Sequence, residues 1–182
     1  MIKLCNRTAA LTIVGALLGL SCVDATAQAP IAKNAEPAST KHWSNTIGDW
    51  IVACAQNDQT KVCALSQTLS DAETKRVVAA WSFNKGTGDK VNVMLRGPLG
   101  VALAPGVQIA IDAEKPFSAA YETCSTIGCM ANFEATSALL TQLRKASKVS
   151  VVFQGVRGRP ISLDFQMRGF SKAYDTYLQE AK

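Results

Sequence analysis

The chain has 182 residues, 48% of them hydrophobic and 18% charged, with six cysteines, one histidine and a formal net charge of +5. Those figures fit one globular domain, too apolar to stay disordered and too short for two sizeable cores. A single histidine rules out a multi-histidine metal centre, and neither GxxxxGK[ST] nor GxGxxG occurs, which removes the glycine-loop nucleotide binders.

Residues 1–27 read as a signal peptide. Lys3 and Arg7 make a basic start, residues 9–20 form an uncharged run too short for a stable bilayer span, and Ala25-Thr26-Ala27 has the small-x-small cleavage pattern. Leu20-Ser21-Cys22 raises lipid modification of Cys22 as an alternative, although Gly19 stands where a lipoprotein signal places its leucine. Residues 28–46 are rich in Ala, Pro, Ser, Thr and Asn with no apolar period, and read as a flexible leader. His42 and Trp43 close it, with Trp43 expected to dock on the domain edge. The domain itself is expected over 47–182.

From there the dominant period is two. Val77, Ala79, Trp81 and Phe83 share one parity, as do Val91, Val93 and Leu95, then Val107, Ile109 and Ile111. Ile161, Leu163, Phe165 and Met167 alternate with Ser162, Asp164, Gln166 and Arg168, so all four apolar residues are expected to face the core. Such alternation marks antiparallel strands with one face on a core and one in water. Further strands are expected over 49–55, 62–69, 117–123, 129–133 and 149–154. Glycine-bearing segments at 85–89, 96–100, 104–106 and 155–158 supply the turns. Two stretches switch to the helical period. Residues 136–145 carry Leu139, Leu140 and Leu143 on one side, and 171–180 carry Tyr174, Tyr177 and Leu178, with Ser171 as the expected N-cap. The fold class is therefore all-β and mainly antiparallel: a compact β-sandwich or partly closed barrel with two short helices.

Four cysteines follow the signal segment: Cys54, Cys63, Cys124 and Cys129. An even number in an exported chain predicts disulfides. Three connectivities are possible, and the local one, Cys54–Cys63 with Cys124–Cys129, needs only a hairpin and a short loop. C-x₈-C and C-x₄-C suit neither a zinc knuckle nor a redox C-x-x-C. The acidic pairs Asp71/Glu73 and Asp112/Glu114 lie beside predicted turns, where solvated carboxylates are expected, and a catalytic triad would need His42 from the leader. No catalytic, cofactor-binding or metal-binding residue is assigned.

The charge pattern says more. Between Arg144 and Lys172 there are seven basic residues and one acid, Asp164. Such a patch suits an anionic envelope lipid or an acidic envelope or host-surface protein, with a solvated basic face that has no specific partner as the alternative, and export argues against nucleic acid. Arg157 and Arg159 flank Gly158 in a predicted hairpin turn, and Arg168 sits on the solvent parity of the strand that follows. The three are expected to converge near one edge and present forked donors to phosphate or carboxylate groups.

Gly48-Asp49-Trp50, Cys54 and Cys63, Pro98-Leu99-Gly100-Val101, Pro105-Gly106, Cys124 with Gly128-Cys129, Phe153-Gln154 and Gly169-Phe170 occur in an order and spacing that resembles the invasion-associated locus B family. The likeness runs from about residue 47 to the last helix. It implies an exported, non-enzymatic envelope protein of a Gram-negative bacterium, periplasmic or associated with the outer membrane, in a family linked to host-cell entry. It carries over no active site and no cofactor, and leaves the oligomeric state open. Two other functions remain in view: a periplasmic binding module for an envelope component or small ligand, which needs a deep apolar pocket, and a hydrolase or disulfide exchanger, which needs a titratable cluster in a cleft.

Overall fold

The computed structural model describes residues 40–88 and 90–182. The expected signal peptide, Cys22 and the leader up to residue 39 lie outside the described residues. The strands are β1 (Lys41–Ile47), β2 (Trp50–Gln56), β3 (Lys61–Ser70), β4 (Val77–Lys85), β5 (Val91–Gly97), β6 (Val107–Ile111), β7 (Phe117–Ala119), β8 (Tyr121–Ser125), β9 (Gly128–Glu134), β10 (Lys148–Gln154) and β11 (Pro160–Gln166). The helices are α1 (Ser137–Lys145) and α2 (Phe170–Glu180). All strand pairs are antiparallel, in a seven-stranded sheet ordered β1-β2-β3-β4-β5-β9-β8 and a four-stranded sheet ordered β11-β10-β6-β7. The two sheets pack as a β-sandwich and do not close into a barrel.

The alternating residues explain the packing. Val91, Val93 and Leu95 of β5 are buried, as are Val107, Ile109 and Ile111 of β6, while Asn92 and Gln108 face out. Trp81 and Phe83 stack 5.8 Å apart on β4, and Phe165 of β11 meets Trp81 edge-on at 5.7 Å, joining one sheet to the other. Phe153 of β10 lies directly over Gly97, where a Cβ would collide with its ring. Thr136 caps α1 by accepting the Leu139 N–H at 3.2 Å, and Arg144 and Lys145 fall in the last turn as the dipole favours.

Five expectations change. Lys41–Thr46, assigned to the leader, belongs to β1: Trp43 lies opposite Cys54 and the whole strand pairs with β2. The single strand expected at 117–123 is two, because the chain passes from the small sheet to the large one at Ala120. Ile161 keeps the inward parity but remains 37% exposed, since it begins the edge strand where little covers it, while Leu163 is half-buried and Phe165 and Met167 are buried. Gly169, with φ +84°, takes the N-cap of α2, and the Ser171 hydroxyl instead donates to the Arg144 carbonyl at 2.8 Å, serving the end of α1. Leu178 is 41% exposed, and Phe170, Ala173, Tyr174 and Tyr177 form the docking face of α2.

Tyr177 carries a testable consequence. Burial, reinforced by neighbouring Tyr174, pushes its phenol up to about 12. An unfolded tyrosine titrates near 10, so the native state holds this proton more tightly. The corresponding stability is fully present below about pH 10 and is lost as the pH rises toward 12. Tyr177→Phe is expected to flatten the fall in Tm between about pH 9 and 11.5, and an unchanged slope would contradict the assignment.

Candidate functional site

The candidate site grows from the β10–β11 turn. Gly155 donates its N–H to the Arg159 carbonyl at 2.9 Å, and Gly158 donates to the Gly155 carbonyl at 2.9 Å. Gly158 has φ +75°, which closes the turn without strain. Arg157 and Arg159 are both exposed on it. Arg168 is elsewhere. The length of β11, about 20 Å for a seven-residue strand, separates it from that turn. There its guanidinium pairs with the Asp49 carboxylate at 2.6 Å, and that hydrogen bond raises the Arg168 pKa further above its ordinary value. Its backbone carbonyl also accepts the Asp49 N–H at 3.1 Å. The expected convergence of three arginines is therefore not formed. Parity places a residue on a face of the sheet, not at a point along the strand.

Arg157 and Arg159 have apolar company instead. The Val156 N–H donates to the Gly100 carbonyl at 3.0 Å, the Ala102 N–H donates to the Gln154 carbonyl at 2.7 Å, and Val101 bridges Gly155. The β5–β6 loop is thus tied alongside the β10–β11 turn. Leu99, Leu103 and Val156 are 55%, 53% and 68% exposed on these two segments. Ile127, 61% exposed, tops the β8–β9 turn and shares with Leu99, Val77 and Arg76 the lining of a shallow groove of about 440 Å³. The aliphatic stem of Arg96 lies against Gly128 in the same neighbourhood. This cluster escapes a periodicity reading, although a signal for it exists. Leu99, Ile127 and Val156 each sit beside glycine in turn segments, where a solvated loop would carry polar side chains.

The disulfides are those expected locally. Cys54–Cys63 joins facing residues of β2 and β3 with Cα atoms 4.1 Å apart, and Cys124–Cys129 joins β8 and β9 at 4.0 Å. The second bridge closes the turn that carries Ile127.

The acidic pairs serve local turns. Asp71 accepts the Thr74 N–H and hydroxyl, both at 2.7 Å, which holds its carboxyl below the usual range. Asp112 accepts the N–H groups of Ser147 and Lys148. His42 is exposed on β1, and no group of three or more His, Cys, Asp or Glu side chains suited to a metal occurs among the described residues. A second groove, of about 370 Å³ and mainly apolar, opens between β7, β9 and α1 beside Phe117, Phe133 and Leu139.

The family described as invasion associated locus B (IalB) protein matches residues 50–177. Invasion protein B homologues from two Brucella abortus strains, 2308 and biovar 1 strain 9-941, are each 26% identical over 140 residues, covering 76% of this chain and 81% of the relative. The crystal structure of invasion associated protein B from Bartonella henselae superposes with a TM-score of 0.69 at 23% identity, covering 75% of this chain and 95% of the other, a likeness of fold. The family match spans both disulfides and nearly the whole sandwich, and the chain belongs to the invasion-associated locus B family.

Proposed function

We propose that this chain is an exported, non-enzymatic interaction protein of the cell envelope, working in the periplasm or at the outer membrane and contributing to contact with host cells. The family match over residues 50–177 carries the reading, since the relatives it brings in are named as invasion proteins. Two disulfides support export into an oxidising compartment, as does the apolar N-terminal segment with its Ala25-Thr26-Ala27 cleavage pattern. Use of Asp71 and Asp112 as turn acceptors supports binding over catalysis. Deleting the gene, fractionating cells that carry the protein, and crosslinking from the intact envelope tests it. Recovery with the envelope, together with a host-contact defect in the deletion strain, is the expected result. Recovery in the cytoplasm with reduced cysteines would refute it.

A second reading, a periplasmic module for a small apolar ligand, draws on the groove beside Phe117, Phe133 and Leu139. Its walls are one strand of each sheet and one helix, and it opens at the surface instead of entering the core. Phe133→Asp should abolish binding of an apolar dye such as ANS if that reading holds, and leave it unchanged otherwise.

A further inference from the structure

We propose that the end of the sandwich bearing Leu99, Ile127 and Val156 docks onto an anionic phospholipid bilayer, the three side chains entering between headgroups while arginines around them bind phosphate. This rests on the envelope reading above and names the partner of the candidate site.

Three observations carry it. The first is placement. Leu99, Ile127 and Val156 come from three separate turns, yet the Val156 N–H to Gly100 hydrogen bond and the Val101–Gly155 bridge join the turns of Leu99 and Val156, and Leu99 and Ile127 line one groove. A Cβ added at Gly100 or at Gly158 would meet nothing within 4 Å, so the backbone at both turn positions faces open space. The second is rigidity. Val101, two residues beyond the exposed Leu99, is buried at 6% relative exposure, and Cys124–Cys129 closes the turn of Ile127. The apolar tips are therefore held outward by buried or covalent anchors and do not fold back onto the core. The third is charge. Arg76 lines the groove, Arg96 lies against Gly128, and Arg157 and Arg159 stand exposed on the turn of Val156; the acids in the groove are Asp71 and Glu73, and the Asp71 carboxylate is already engaged by Thr74.

A lipid surface fits this arrangement better than a protein. Protein interfaces concentrate their binding energy in aromatic anchors packed into central pockets. The exposed tips here are Leu, Ile and Val on separate projections. A bilayer accepts such wedges at any lateral spacing, and arginine stems extend along apolar surface while the guanidinium stays at the headgroups. Each basic residue close to an anionic leaflet contributes about a fivefold factor in partitioning, and the effect is screened as salt shortens the Debye length from about 30 to 8 Å.

The test is cosedimentation of the whole protein with vesicles of phosphatidylglycerol and phosphatidylcholine, and with phosphatidylcholine alone, at low and physiological salt. Parent and variants are recovered from the exporting cell, so that all have lost the expected signal peptide, residues 1–27. R157E/R159E is expected to lower partitioning into the anionic vesicles about 25-fold or more at low salt. L99S/I127S/V156S is expected to lower it at least about tenfold while leaving a salt-sensitive residue of binding. All substituted side chains are exposed, so thermal melts should match the parent. The proposal is overturned if the parent sediments equally with both vesicle types, or if both variants sediment like the parent. It is also overturned if the parent ignores vesicles while the same variants lose a crosslinked envelope protein, which would make this end a protein interface. A parent found outside the envelope fraction would instead refute the broader reading under which the proposal stands.

Discussion

Replacing Phe165 by alanine is expected to destabilise the domain by about 3–5 kcal/mol, while Ile161→Ala on the same face of the same strand costs well under half as much. Both point inward from β11, opposite Val149 and Phe153 of β10. Phe165 is fully buried and meets the Trp81 ring edge-on, so truncation opens a cavity at the junction of the two sheets and removes an aromatic pair. Ile161 is 37% exposed at the start of the edge strand, and much of its surface never leaves water. Gln166→Ala should change little, because Gln67 holds the backbone carbonyl of Gln166 and not its side chain. Urea denaturation of the three variants checks the ranking. Equal losses at 161 and 165 would mean that β11 is covered along its whole length, contrary to the structure.

Loss of the Cys54–Cys63 bridge is expected to cost about 2–5 kcal/mol, and more than loss of Cys124–Cys129. Two features set the order. The loop between Cys54 and Cys63 is longer, with a sequence separation of 9 against 5, so the bridge removes more entropy from the unfolded chain. Both of its cysteines are also buried, whereas Cys124 is exposed at the rim. C54A/C63A should therefore shift the urea midpoint further than C124A/C129A, and a non-reducing peptide map should show only the two local bridges. The reverse order would place the critical constraint at the β8–β9 turn. Loss of the Cys124–Cys129 bridge should act mainly on surface binding, because that bridge fixes the turn of Ile127.

How much of this was legible in the sequence depends on what held each segment. β5 and β6 could be read directly, since Val91, Val93 and Leu95, and Val107, Ile109 and Ile111, each meet the core on one face and water on the other. β1 could not. Every residue from Lys41 to Thr46 is exposed, so no alternation exists to be read, and backbone pairing with β2 holds the strand. The split at Ala120 was hidden because β7 and β8 together look like one run although they belong to different sheets. For the candidate site, chain order showed that Arg157 and Arg159 share a turn. It could not show that β11 carries Arg168 away to Asp49, or that the turn of Leu99 is tied to theirs and shares a groove with Ile127. Such a surface is made by topology, and local sequence holds only its separate pieces.

On the docking proposal, the end of the sandwich that bears Leu99, Ile127 and Val156 is the face through which the protein engages the envelope. Site-specific photo-crosslinking in intact cells tests it most directly, with the probe at Ile127 in one strain and at Leu178 in another. Both side chains are exposed, 61% and 41%, but Leu178 lies on α2, away from the loop end. Lipid adducts are expected from position 127, and few or none from position 178. Equal labelling from both positions, or labelling confined to α2, would contradict it.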